Sequence, residues 1–353
     1  MQPETSLGPG DRVPNFQLPD QANDRRSFYH EVTGAPILLL LCPRLTSPSA
    51  RQLLAGLVAR QAEIAKAGLQ VFAIGGEGVV ANATVAAELS FPYRVFSDSQ
   101  GQVLAGLMAG ADVEARLLLL DGNQRVVESR DGPTDADDLA PLLAIAAAMG
   151  RAWDTAETLG RAAPILLLPR VFEPDFCREL IGLWEAEHHE GGFSTGQANT
   201  YDPNKKKTLE HVIQDPALRR QISFTLARRV APELAKVFNY RAPFQFDAHI
   251  VMCYQPERQD FFGLHRDDLR PENQRRFALS LNLNDDFEGG ELHFPEYAPD
   301  GYKMDAGTAC IFSCPLLHEA RPVTKGRRFV LTSFFCDSDR QVPGGAQQRR
   351  VQL

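Results

Sequence analysis

Two hydrophobic patterns divide the chain. In the first half, a continuous apolar run at residues 37–42 and a second strand-like segment at 69–74 alternate with segments whose apolar residues recur at helical spacing. A continuous apolar run is typical of a strand that is covered on both faces of its sheet. Strands that alternate with helices predict an α/β layer fold. The predicted helices cover residues 50–67, 85–89 and 135–149, and a hairpin with an Asp-Gly-Asn turn joins 115–120 to 125–127.

The second half shows mostly β patterns. Apolar residues alternate with small or polar ones over 277–284, as in a strand with one apolar and one polar face. Further strands are predicted at 309–313 and 329–335, after helices at 174–187 and 216–238. Many short strands with supporting helices favour a double-stranded β-helix, or jelly roll.

Small and polar residues separate these halves. We predict domains at residues 1–150 and 164–340, a linker at 151–163, and a flexible tail at 341–353 that is rich in Gly, Gln and Arg.

One further stretch, residues 187–207, contains few apolar residues. Long loops inside compact domains are often lids or binding loops, and a mobile surface insertion is an equal alternative. The run of lysines at 205–207 is interpreted as a solvent-exposed face.

Composition narrows the class of protein. A net charge of −8 and a pI near 5.6 disfavour nucleic acid as a partner. The N-terminus lacks the pattern of a signal peptide, and the apolar runs are too short to cross a bilayer, so we expect no membrane partner. Six cysteines without a CxxC pair suggest neither a disulfide scaffold nor a zinc site. A reducing cytoplasm fits best.

Three separated residues suggest an iron site. His265 and Asp267 are two positions apart, so on an extended strand both side chains point the same way. His318 follows 51 residues after Asp267, beyond several predicted strands. Two histidines and one carboxylate form the facial triad of non-haem Fe(II) oxygenases. An HxD triplet alone also occurs on surface loops, and a single histidine is most often structural, so the combination carries the prediction.

Arg328 strengthens this interpretation. It lies ten residues after His318, on a predicted strand where Val330 and Thr332 share its face. An inward-pointing arginine needs an anion as partner, and a guanidinium can bind a carboxylate through two hydrogen bonds. Arg327 or Arg328 could instead face solvent.

The second half resembles the prolyl 4-hydroxylase type of 2-oxoglutarate/Fe(II) dioxygenases. The resemblance rests on CYQ at 253–255, FFGLHRD at 261–267, LNLN at 281–284, FEGGEL at 287–292, and His318 with PVTKGRR at 322–328. It implies that His265, Asp267 and His318 are catalytic and bind Fe(II), and that Arg328 binds 2-oxoglutarate. It also suggests that Tyr254 contacts the cosubstrate, although a core aromatic is an equal interpretation. The intact Asp267 disfavours halogenation.

The resemblance further implies the reaction. Such an enzyme consumes O2 and 2-oxoglutarate, hydroxylates a C–H bond, and releases succinate and CO2, with ascorbate as reductant. The substrate would be a peptidyl residue, prolyl among the candidates, or a small molecule. Two alternatives stay open: a non-catalytic sensor that binds iron and 2-oxoglutarate, and a thiol-redox protein acting through the first domain.

The first domain resembles peroxiredoxins of the thioredoxin-like fold. The match rests on LGPGDRVPNF at 7–16, Pro43 after a strand, FSDSQG at 96–101, and Arg116 before an apolar strand. A peroxiredoxin needs a cysteine seven residues after the proline, and this chain has Ala50 there. Cys42 lies inside an apolar run, where an inert thiol is expected. We therefore expect no peroxidase activity, and a scaffold, homodimerisation or partner-docking role.

Overall fold

The computed structural model describes residues 7–109, 113–132, 139–153, 160–194, 199–200, 202–267 and 275–338. The chain divides into two compact units after Thr158. The predicted tail, 341–353, lies outside the described residues. The last helix of the first unit, Leu139–Trp153, runs three residues into the predicted linker. No helix among the described residues is long and apolar enough to cross a membrane.

The first unit is an α/β layer. Its sheet has the order β5-β4-β3-β6-β7, with β3, β4 and β5 parallel and β6 and β7 antiparallel to their neighbours. The strands are β1 (Gln17–Pro19), β2 (Arg25–Ser27), β3 (Ile37–Cys42), β4 (Gln70–Gly75), β5 (Arg94–Ser97), β6 (Arg116–Leu120) and β7 (Val126–Asp131). The helices are α1 (Phe28–Glu31), α2 (Pro48–Ala59), α3 (Gln61–Lys66), α4 (Val79–Glu88), α5 (Gln102–Leu107) and α6 (Leu139–Trp153).

The central strand β3 explains the continuous apolar run. All six of its residues are buried, and alternate residues belong to two different cores. Leu38 and Leu40 pack into the core on one face, and Leu39 and Leu41 pack into the core on the other. The α/β prediction is confirmed. The single helix predicted at 50–67 is wrong, because two helices, α2 and α3, meet at Arg60.

The second unit contains three α-helices, one short 3-10 helix (Pro256–Arg258) and seventeen strands within the described residues. The helices are α7 (Pro174–Ala186), α8 (Pro216–Arg229) and α9 (Ala231–Val237). The strands are β8 (Leu166–Leu168), β9 (His189–Glu190), β10 (Phe193–Ser194), β11 (Asn199–Thr200), β12 (Lys206–Lys207), β13 (Leu209–Val212), β14 (Phe244–Phe246), β15 (Ile250–Tyr254), β16 (Phe261–His265), β17 (Arg275–Asn282), β18 (Glu288–Gly289), β19 (Leu292–His293), β20 (Gly301–Tyr302), β21 (Ala309–Ser313), β22 (His318–Ala320), β23 (Val323–Lys325) and β24 (Arg328–Asp337).

Two antiparallel sheets dominate this unit. The larger has the order β8-β21-β17-β24-β15-β13-β9, with β14 also paired to β24. The smaller has the order β12-β16-β22-β19-β20. One face of the larger sheet packs on α7, α8 and α9 through a shared core. Its other face shares two clusters with the smaller sheet, one of which contains Phe294 and Phe312 and the other Tyr254 and Ala320. The described strands form no closed barrel.

The helix predicted at 216–238 is wrong in one respect. The structure has two helices there, because Pro232 lies at the first turn of α9. A proline inside a continuous helix would remove a backbone hydrogen bond and clash with the preceding turn.

The stretch at 187–207 contains strands where the sequence predicted a loop. β9 extends the larger sheet beside β13, and β12 extends the smaller sheet beside β16. Between them β10 pairs with β11. Residues 195–198 and 201 lie outside the described part of the chain. The polar composition gave no sign of β9 and β12, because pairing with β13 and β16 outside the stretch defines them.

Candidate metal centre

Strand pairing brings the three predicted ligands together. His265 is the last residue of β16, His318 is the first residue of β22, and the two are directly paired. The register between the strands shifts between Phe262 and His265, so the ladder is irregular beside the site. Asp267 follows β16 by two residues, and its backbone N–H donates to the Cys314 carbonyl over 3.0 Å.

Ligand atoms of these residues converge. Asp267 Oδ1 lies 3.7 Å from His265 Nε2, and Asp267 Oδ2 lies 3.6 Å from His318 Nε2. One ligand atom from each residue falls within 4.8 Å of the others. This is the only such group of three or more His, Cys, Asp or Glu side chains among the described residues. The three side chains could therefore bind one ion.

Backbone carbonyls fix the histidine tautomers. His265 Nδ1 lies 2.7 Å from the Gly263 carbonyl, and His318 Nδ1 lies 2.9 Å from the Leu316 carbonyl. A carbonyl only accepts, so each Nδ1 must carry the hydrogen. Each Nε2 then presents its lone pair towards Asp267. Hydrogen bonding of the second nitrogen is typical of metal-binding histidines.

Aromatic rings surround the imidazoles. Phe262 stacks on His265 at 3.6 Å between ring centroids, and Phe312 packs edge-on against His318 at 4.6 Å. Burial, followed by the charge of His318, lowers the pKa of His265 to about 3. The imidazole is therefore neutral at pH 7, which is the form that binds a metal ion.

Arg328 lies inside the same unit and is 2% exposed. Its Nη2 donates to Asn282 Oδ1 over 3.1 Å and to Ser280 Oγ over 3.4 Å. No carboxylate lies within ion-pair distance of it among the described residues. Burial lowers the pKa of Arg328. Gly290, at φ +69°, leaves room for this side chain, because a Cβ there would come within 3.1 Å of it.

Tyr254 lies directly opposite Arg328 in the strand pair β15–β24. The guanidinium carbon of Arg328 is 5.4 Å from the centre of the Tyr254 ring. Tyr254 is buried, burial raises its pKa, and its hydroxyl donates only to the Met252 sulfur, over 3.8 Å. A sulfur is a weak acceptor, so this hydroxyl is available to a better one.

Sequence reasoning missed Lys206. The interpretation of 205–207 as a solvent-exposed face is wrong for this residue, which is 3% exposed. Its ammonium group forms an ion pair with buried Glu210, donates to the Gly192 carbonyl over 2.8 Å, and lies 4.9 Å from the Phe262 ring centre. The signal available in sequence was strand alternation, which places 206 on the face opposite to 205 and 207.

The remaining histidines have other surroundings. His293 faces Glu319 Oε1 at 2.8 Å and the Ala298 carbonyl at 3.2 Å, so both its nitrogens are engaged. His249 is fully buried and hydrogen bonds with Ser223 Oγ over 2.8 Å.

The first unit lacks the features of a thiol active site. Ala50 lies in the first turn of α2, where a peroxiredoxin would have its cysteine. Cys42 is 1% exposed, and burial raises its pKa to about 11. The charges of Glu77 and Glu114 contribute to this rise in pKa, and a backbone hydrogen bond at Arg44 opposes it. Arg116 is also engaged, in an ion pair with Asp131.

Known proteins match the two halves separately. Residues 9–127 match the AhpC/TSA family. The chain is 25% identical over 174 residues to a procollagen lysyl hydroxylase and glycosyltransferase of Acanthamoeba polyphaga mimivirus, which is 46% of this chain and 18% of that relative. It is 33% identical over 103 residues to a PKHD-type hydroxylase of Saccharophagus degradans, covering 26% of this chain and 44% of that one.

A solved structure also matches part of the chain. The viral collagen prolyl hydroxylase of Paramecium Bursaria Chlorella virus-1 has a TM-score of 0.39 and 18% identity, covering 50% of this chain and 97% of that one. The chain spans less than half the length of the two relatives named above. It joins an N-terminal segment of AhpC/TSA type to a segment that is similar to PKHD-type and procollagen lysyl hydroxylases.

Proposed function

We propose that the C-terminal unit is an Fe(II)- and 2-oxoglutarate-dependent hydroxylase. The observation that carries the proposal is the convergence of His265, Asp267 and His318 in a unit that also buries an arginine without a carboxylate partner among the described residues. Two imidazoles and a carboxylate suit Fe(II) and leave coordination positions open. The similarity to hydroxylases points to the same chemistry.

The spacing of the site suits a short dicarboxylate. Phe312, which packs on His318, is paired with Ala278, and Ser280, which contacts Arg328, lies two residues further along β17. Two residues along a strand span about 7 Å. This register places a residue that contacts the metal-site histidine and one that contacts the guanidinium near each other on two paired strands, and we propose that a dicarboxylate joins the two sites.

Each site residue has a separate role in this proposal. His265, Asp267 and His318 would hold the iron, which supplies the oxidising chemistry when bound. Arg328 would bind the far carboxylate through two hydrogen bonds, and Tyr254 would donate its hydroxyl to the cosubstrate. The aromatic rings around the imidazoles would exclude water.

The relatives suggest the substrate and the other components of the proposed reaction. Because the relatives include collagen-modifying enzymes, a peptidyl group is the first candidate substrate and a small molecule is the second. O2 is consumed, and ascorbate serves as reductant. The two sheets would form the two sides of a jelly roll around the site.

Succinate release tests this function. Full-length protein with Fe(II), ascorbate and 2-oxoglutarate should form succinate at a low rate even without a substrate. His265→Ala should abolish that release, because it removes one ligand. Equal succinate from the wild type and the variant would refute the assignment. A screen of peptides and metabolites should then find the substrate as the compound that raises the rate.

A further inference from the structure

The residue between the two ligands of the HxD segment forms contacts outside the ligand set. Arg266 follows His265 and precedes Asp267, so its side chain leaves the opposite face of the extended segment. There it meets Glu296, with Nη1 donating to Oε2 over 3.0 Å and Nη2 donating to Oε1 over 2.5 Å. Two parallel hydrogen bonds of this kind restrict orientation as well as distance.

Glu296 also contacts the segment that carries the third ligand. Its Oε2 accepts a hydrogen bond from the backbone N–H of Leu317 over 3.1 Å, one residue before His318. Arg266 itself donates to the Pro315 carbonyl in the same turn. A single carboxylate therefore joins the backbone beside His318 to the side chain between His265 and Asp267.

The contacts of Glu296 lie beside the end of the β16–β22 strand pair, where backbone pairing does little to fix the ligand segments. The register of β16 and β22 shifts before His265, and β22 begins only at His318. Past that pair, the Asp267 backbone N–H donates to the Cys314 carbonyl in the turn before His318. The separation of Asp267 and His318 then depends on contacts outside the strand ladder.

We propose that Glu296 is a positioning residue that holds the Asp267 and His318 segments at metal-binding distance before the metal arrives. This inference rests on the proposed function, since it concerns the same metal site. The Glu296 side chain is 38% exposed, so the ion pair adds little to folding stability. Its effect would fall on metal affinity, because ligands that are already in place lose less freedom on binding.

The experiment titrates Mn(II) into the metal-free full-length chain. Glu296→Ala should raise the Kd for Mn(II) about tenfold, the scale of lost outer contacts at metal sites. Glu296→Gln should raise it less, because its amide oxygen can still accept from Leu317. Glu185→Ala is the matched control. It removes a similarly exposed ion pair, to Arg327, that contacts neither ligand segment, so its Kd should equal that of the wild type.

Each outcome has one consequence. The thermal midpoint of metal-free Glu296→Ala should match that of Glu185→Ala, which separates positioning from a loss of folding. If Glu296→Ala binds Mn(II) like the wild type while His265→Ala does not bind it, the positioning role is refuted and the metal site stands. If the wild type binds no Mn(II), the metal site itself fails. Should Glu296→Ala not fold, an unchanged Kd in Glu296→Gln refutes the proposal.

Discussion

Arg328 carries a positive charge into the interior of the C-terminal unit. Its hydrogen-bond partners among the described residues are neutral oxygens of Asn282 and Ser280, and burial lowers its pKa. A buried cation is unfavourable unless an anion compensates it. The neighbouring Arg327 shows the ordinary alternative, since it is half exposed and forms an ion pair with Glu185.

Loss of the Arg328 side chain should affect cosubstrate binding alone. Arg328→Ala removes two charge-assisted hydrogen bonds to the carboxylate, so the KM for 2-oxoglutarate should rise about 100-fold. Mn(II) affinity should stay unchanged, because Arg328 is not a ligand. Arg327→Ala is the control and should alter neither quantity. An unchanged KM in Arg328→Ala would show that the cosubstrate binds elsewhere.

His249 makes stability depend on pH. Burial, and then the charge of Arg219, lowers its pKa from 6.5 to about 3, with a smaller opposing effect of Asp247. The folded state thus favours the neutral ring, and below pH 6.5 the unfolded state binds the additional proton. Stability is complete above pH 6.5 and falls by about 1.4 kcal/mol per pH unit down to pH 3.

The His249→Leu variant removes this dependence. Between pH 7 and pH 5, the free energy of unfolding should fall by about 2 kcal/mol more in the wild type than in the variant. Urea denaturation of metal-free protein at both pH values measures the difference. His265 titrates in both proteins, so its contribution cancels. If the free energy of unfolding falls equally in the two proteins, groups other than His249 cause the pH dependence.

At the scale of elements, local pattern and distant pairing explain different parts of the fold. β3 and β21 have the predicted bounds, because their continuous apolar runs reflect burial that is local to each strand. β9 and β12 have two polar residues each and exist through pairing with β13 and β16. Pattern alone cannot predict such strands, because their stability comes from partners far along the chain.

The same distinction applies to the site. The sequence predicted which three residues would converge, since their types and order resemble a known motif. The pairing of His265 with His318 across two strands could not be derived from local pattern. Strand alternation could have set Lys206 apart from Lys205 and Lys207, but its ion pair with buried Glu210 could not be derived from local pattern.

Lys206 supports a prediction about β12. Lys206→Met leaves the carboxylate of Glu210 buried without its partner, and removing one member of a buried pair costs about 3–5 kcal/mol. Chemical denaturation should detect this loss. Lys205→Met is the control, because the Lys205 side chain is 68% exposed, and it should change stability by less than about 0.5 kcal/mol. Equal midpoints for the two variants would mean that the ion pair does not anchor β12.

At the scale of the molecule, the two units differ in the chemistry that they retain. The first keeps the sheet of an AhpC/TSA-type segment but has alanine at position 50 and a buried thiol at Cys42. The second keeps a complete set of candidate ligands. Under the proposed function the catalytic role belongs to the second unit, and a scaffold, homodimerisation or docking role remains the expectation for the first.

Peroxide consumption tests the inactivity of the first unit. With a pKa near 11, the Cys42 thiol is about one part in 10,000 thiolate at pH 7, and the thiolate is the nucleophile. The full-length chain with a thiol reductant should consume peroxide no faster than the reductant alone, and Cys42→Ser should not change this rate. Peroxide turnover that disappears in Cys42→Ser would show that the first unit has thiol peroxidase activity.

Equilibrium dialysis under anaerobic conditions tests the central claim most directly. The full-length chain should retain one Fe(II) per molecule, and it should retain 2-oxoglutarate only when the metal is present. His265→Ala and Asp267→Ala should lose both, and Arg328→Ala should keep the metal and lose the cosubstrate. Retention of Fe(II) by the two ligand variants at the wild-type level would contradict the account.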